Sequence, residues 1–193
     1  MAKNNRTGQA ALWDSSVIKK LRLRLVSSKQ RLIFEISLFT GERMGAITQL
    51  KVSDVYDERG RVRDKITFDG ATRKATRWGQ AKTRSVKIHD ELKFFLKQYQ
   101  PPQSGYLFPS VKSKSGHITV RGVDDYWRTQ LSDLGYSGFS THSSRRWLIN
   151  KLAKAGIQIQ IIAEFMAMTI STVRRYLDED PEACDNAIAS LTI

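Results

Sequence analysis

The chain has 193 residues and a mass of 22.0 kDa, which suits one globular domain with a sizeable core. Its 32 Lys and Arg against 19 Asp and Glu leave a formal charge of +13, and that balance favours a polyanionic partner, nucleic acid first, over a small neutral ligand. A hydrophobic content of 40% excludes a disordered basic tail.

No apolar run reaches the length of a membrane span, and the start Met1-Ala2-Lys3-Asn4-Asn5-Arg6 lacks the apolar stretch of a signal peptide, so the expectation is a soluble, cytoplasmic protein with no membrane partner. Cys184 stands alone, and His89, His117 and His142 are scattered; neither a disulfide framework nor a metal site is expected. Charge is uneven along the chain. Residues 1 to 31 hold eight Lys or Arg against Asp14 alone, and residues 59 to 87 hold ten against Asp64 and Asp69. The end reverses sign, with Asp178, Glu179, Asp180, Glu182 and Asp185.

In chain order, Asp14 to Ser16 offer N-cap side chains, and Val17, Ile18, Leu21 and Leu25 follow at helical spacing. A second helix is predicted from about Lys29 to Phe39, stopped at Gly41, and a short third near Arg43 to Leu50. The period then changes. Lys65–Phe68 and Ser85–Ile88 alternate, with Gly60, Gly70 and Gly79 as turn points, which predicts an antiparallel sheet of about three strands. Helical spacing returns at Asp90 to Tyr99, and after the Pro101-Pro102 loop further helices are placed near 120 to 134, 143 to 155, 158 to 166 and 170 to 177. The fold class is mainly α with a small antiparallel β-sheet, in one domain over residues 1–193.

Three places join a basic residue to a reason for exposure. In Thr40-Gly41-Glu42-Arg43 a helix ends and an Arg opens the next, so helix-start amides and a guanidinium could meet a phosphate. Ala81-Lys82-Thr83-Arg84 enters the last strand, where a hairpin could project Lys82 into a groove. His142-Ser143-Ser144-Arg145 puts His and Arg three apart on one helix face, able to grip one phosphate. Tyr176 lies near the end of the apolar pattern. Taken singly, each has an ordinary reading: a surface Arg43, a solvated Lys82, a capping or core His142, a packing Tyr176.

Their order and spacing resemble the catalytic domain of the tyrosine recombinase (phage integrase) family from about Leu12 to Leu177. Leu38 to Val55 resembles the first Arg box, Gln80 to Ile88 the hairpin that bears a Lys, Thr141 to Gly156 the H-x-x-R box, and Phe165 to Tyr176 the final box. The resemblance implies a site-specific recombinase or integrase with Arg43, Lys82, His142, Arg145 and Tyr176 as catalytic residues, no metal and no cofactor. It implies that Arg43 and Arg145 bind the scissile phosphate, that Lys82 is general acid and that Tyr176 is the nucleophile of a 3′-phosphotyrosine intermediate. His142 is the candidate general base, because a phenol with a pKa of about 10 needs its proton removed.

Two positions depart from the pattern: Ala46 stands where an acidic residue is usual, and Ala167 where a His or Trp is usual, preceded by Met166 in place of Gly. With only residues 1–42 ahead of Arg43, the expectation is that the family's N-terminal DNA-clamping domain is absent. Double-stranded DNA is the implied partner, and a tail over 178–193, with Ala183, Ala187, Ile188 and Leu191 at helical spacing, could join protomers into a tetramer on DNA. Two alternatives stay open: a sequence-specific DNA-binding protein of this fold with impaired cleavage, and a type IB topoisomerase-like enzyme.

Overall fold

The computed structural model of the chain describes residues 10–73 and 82–177. Gly79 and the tail from residue 178 onward, including Cys184, lie outside the described residues. The chain divides into two units, one ending at Leu148 and the other starting at Ile149, with the boundary inside a helix.

In the first unit, α1 (Ser15–Arg24) begins where the Asp14 carboxylate accepts from the amides of Ser16 and Val17 at 2.6 and 2.8 Å, satisfying two donors that a helix start leaves open. Its buried face is Val17, Ile18 and Leu21, as the spacing predicts. Helix α2 (Ser28–Thr40) is buried almost all round, with Leu32, Ile33, Phe34, Ile36 and Leu38 at 2% exposure or less. Gly41 ends it in the left-handed region, φ 58°, the C-terminal stop expected there.

The third helix is shorter than its periodicity suggests. Helix α3 covers only Met44–Ile47, and the chain passes through a single 3-10 turn at Val52–Asp54. Strands β1 (Lys65–Phe68) and β2 (Arg84–Lys87) pair antiparallel, Ile66 opposite Val86 and Phe68 opposite Arg84. Among the described residues the sheet has two strands rather than about three; residues 51–62 form isolated bridges and a 3-10 turn instead.

Helices α4 (Asp90–Gln98) and α5 (Val120–Ser132) complete this unit's core. Val123, Trp127 and Leu131, four apart, form the buried stripe of α5. Trp127 meets Phe34 edge to face at 5.4 Å and Trp13 at 6.0 Å, which ties α5 to α2 and to the entry of α1. Burying a side chain such as Phe34 contributes roughly 1.5–3 kcal/mol, so this aromatic triad is a main fastening of the unit.

Helix α6 (Ser143–Lys154) carries the unit boundary. In the second unit, α7 (Ile159–Met166) buries Ile162, Ala163 and Met166, and α8 (Ile170–Arg174) buries Val173. The turn between them is made by Ala167 at φ 48°, the one described non-glycine residue with a positive φ. Thr169 then caps α8, accepting from the Thr172 amide at 3.2 Å. Among the described residues no helix is long and apolar enough to cross a membrane.

Candidate active site

The turn after α2 sets the first half of the site. Gly41 reverses the backbone, so Glu42 points inward, with its residue only 2% exposed, while Arg43 is half-buried. Arg43 is the N-cap of α3, yet its side chain makes no capping bond. Among the described residues none accepts a hydrogen bond from its guanidinium. The Arg43 amide, by contrast, donates to Glu42 Oε1 at 2.8 Å, so this helix-start donor is already satisfied from within the chain.

The other half comes from the start of α6. His142 is exposed in the turn just before the helix, and Arg145 lies in its first turn at 1% exposure. Ser143, buried and turned back to the Ser140 amide at 3.1 Å, fixes that entry. His142 is thus at the helix entrance rather than within it.

Arg43, His142 and Arg145 line one cavity of about 340 Å³, together with Arg73, Thr72, Thr141, Val120 and the Glu42–Ala46 segment. Lys82 is not among the lining residues. It is exposed just before β2, and its carbonyl accepts from Arg73 Nη1 at 2.6 Å. Tyr176 belongs to the second unit, half-buried in the turn after α8. Its amide donates to the Val173 carbonyl at 2.8 Å and its carbonyl accepts from Asn150 Nδ2 at 2.7 Å. That i to i−3 tightening ends α8 at Arg174, two residues before Tyr176, instead of carrying the helix to 177.

Three residues that the spacing did not single out complete the first unit's charge cluster. Glu42 Oε2 accepts from Arg73 Nε at 3.1 Å and from Arg84 Nη1 at 3.0 Å, and Oε1 lies 4.0 Å from Arg145 Nη1. Arg84 also donates to the Thr40 carbonyl at 2.9 Å. All four side chains are 6% exposed or less. One carboxylate therefore faces three buried guanidiniums, a concentration of positive charge suited to an anion in the cavity that Arg73 and Arg145 line. Burial by itself raises the Glu42 carboxyl, but the Arg43 amide and the charges of Arg84, Arg145 and Arg73 outweigh it and hold the group below the ordinary glutamate range. Burial lowers Arg84, against the pull of Glu42.

A signal for Arg84 was available. It shares its parity with Val86 and Ile88, so the strand's own alternation points it inward. Arg73 sits after the 3-10 turn at Gly70–Thr72, where no periodicity applies, and Glu42 lies in the three-residue turn Gly41–Arg43.

The model of the phage integrase family matches residues 16–183. No curated protein matches the chain in sequence. Among solved structures, the integrase from mycobacterium phage Brujita superposes with a TM-score of 0.63 at 18% identity, over 96% of this chain and 57% of its own. The catalytic domain of bacteriophage HP1 integrase gives a TM-score of 0.62 at 21% identity, over 94% of this chain and 95% of that one. The Tn1549 transposon integrase, in complex with transposon right end DNA, gives 0.70 at 13% identity, over 97% of this chain and 67% of that one. At such identities the likeness is one of fold, and the chain spans 57% of the length of the Brujita integrase.

Proposed function

Because the chain belongs to the phage integrase family, with 16–183 matched, we propose that it is a site-specific recombinase that cleaves and rejoins double-stranded DNA through a 3′-phosphotyrosine. The observation that carries this reading is the cavity itself, where Arg43, Arg73 and Arg145 converge with Glu42, the one lining carboxylate among the described residues. A phosphodiester in that cavity meets guanidiniums matched to its non-bridging oxygens, and their charge is worth most on the extra negative charge of a pentacoordinate transition state.

Arg43 and Arg145 are assigned to phosphate binding, with His142 beside them to take or hold the proton of the attacking phenol. Tyr176 Oη attacks phosphorus, the bond to the 5′ oxygen breaks, and Lys82 delivers a proton to that oxygen as it leaves. The new phosphotyrosine bond conserves the phosphodiester, so a 5′ hydroxyl of another strand can reverse the step with no ATP and no metal required by the balance. The basic N-terminal helix and the basic segment 59–87 are suited to the duplex backbone. Assembly of several protomers on DNA through the tail 178–193, and residence in the cytoplasm at the nucleoid, belong to the same proposal.

The test uses a duplex selected for tight binding from a random pool and nicked beside the cleaved phosphate, so that the short product diffuses away and traps the intermediate. Wild type should give a covalent adduct on a denaturing gel, and Arg43→Ala or Arg145→Ala should lower its rate by about 10²-fold or more. Tight, salt-sensitive binding with no adduct would instead identify a DNA-binding protein, the reading that Ala46 and Ala167 favour.

A further inference from the structure

We propose that Glu42 is a positioning residue that holds Arg145, and with it the anion-binding wall of the cavity, in its working place. The inference rests on the DNA-cleaving reading above and adds to it a residue that the family spacing does not single out.

The two oxygens of this carboxylate do different things. Oε2 is gripped by Arg73 at 3.1 Å and Arg84 at 3.0 Å, and the Arg43 amide reaches Oε1 at 2.8 Å. These contacts come from the turn after Thr72, from β2 and from the entry to α3, so three separate segments fix the plane of the group. Oε1 is then presented to Arg145 Nη1 at 4.0 Å, a distance for Coulombic attraction and too long for a hydrogen bond. With its side chain 0% exposed, the carboxylate does this where water screens little.

The neighbouring sequence fits. Ala46 lines the same cavity with only a methyl group, at the place where the family pattern puts an acidic residue. The carboxylate is supplied instead from the residue before Arg43. Removing the charge of Glu42 adds one net positive charge to the protein, so DNA binding should hold or tighten while cleavage slows. A residue that served stability alone would move the two together.

The experiment takes the full chain as wild type, Glu42→Gln and Glu42→Asp, each checked as folded by circular dichroism, with two readouts. The first is hydrogen exchange of the Arg145 Nε–H by NMR without DNA, where Glu42→Gln should exchange at least about 10-fold faster. The second is single-turnover cleavage of the selected nicked duplex at saturation, where Glu42→Gln should be about 10- to 100-fold slower with a Kd no weaker than wild type, and Glu42→Asp intermediate. An unchanged Arg145 signal, a wild-type cleavage rate, or equal losses in binding and cleavage would each overturn the inference. Should Glu42→Gln not fold, Glu42→Asp decides by the same criteria. A changed Arg145 signal alongside a wild type that forms no adduct upholds Glu42 as the organiser of Arg145, and it is the DNA-cleaving reading that falls.

Discussion

The side-chain amide of Asn150, in the half of α6 that belongs to the second unit, donates to the backbone carbonyl of Tyr176 at 2.7 Å. Asn150 is 5% exposed, so this bond is shielded and fixes the turn that presents the phenol. Asn150→Ala leaves that carbonyl without this donor and should cost about 1–3 kcal/mol by urea denaturation. It should also slow adduct formation by more than the unfolded fraction accounts for. Asn150→Asp, which faces an acceptor with an acceptor, should be at least as damaging; equal rates for all three proteins would dismiss the bond as a positioning device.

Lys82 is tied to the first unit's cluster through its backbone, since Arg73 bridges its carbonyl and Glu42. If its ammonium is the general acid, Lys82→Ala should slow cleavage by about 10²- to 10⁴-fold. A 5′-thio leaving group needs no protonation and should restore the rate. Absence of rescue would remove Lys82 from that role.

Ala167 occupies the left-handed region at φ 48°, where a Cβ costs about 1–2 kcal/mol and glycine costs nothing. Ala167→Gly should therefore raise the second unit's stability by roughly 0.5–1 kcal/mol, after the loss to unfolded-state entropy. Ala167→Val should lower it. Thermal melts of the three proteins check the order.

Acid should reveal the Glu42 cluster. Its folded pKa lies below the unfolded value, so its contribution is full above about pH 4.3 and is lost as pH falls through the lowered folded value. Urea midpoints should drop as pH falls below about 4. Glu42→Gln should start about 3–5 kcal/mol less stable at neutral pH, because three guanidiniums lose their counter-charge, and should show a shallower acid loss. Parallel pH profiles for the two proteins would mean that Glu42 is not the group titrating.

Much of this architecture is legible in the residues, for identifiable reasons. Apolar spacing located the helices because amphipathic periods of three and four leave a stripe such as Val123, Trp127 and Leu131, and Gly41 marked the end of α2 because few other residues accept its φ. Two of the four boxes contribute to one cavity, Arg43 from the first and His142 and Arg145 from the third, whereas Lys82 does not line it and Tyr176 belongs to the second unit. Glu42 was hidden because a charged residue in a turn reads as solvated, and only the inward twist after Gly41 buries it. Arg73 was hidden for the same reason. The short span of α3 escaped because Ile47 and Leu50 are both buried, which extends a helical pattern that the backbone abandons after Ile47.

The most direct test of the central claim is to trap the adduct on the selected nicked duplex, digest it with trypsin and nuclease, and locate the remaining nucleotide by mass spectrometry. A nucleotide 3′-phosphate is expected on Tyr176, within the tryptic fragment that follows Arg175, with no adduct in Tyr176→Phe. A nucleotide on any other residue, or an adduct that persists in Tyr176→Phe, would contradict it.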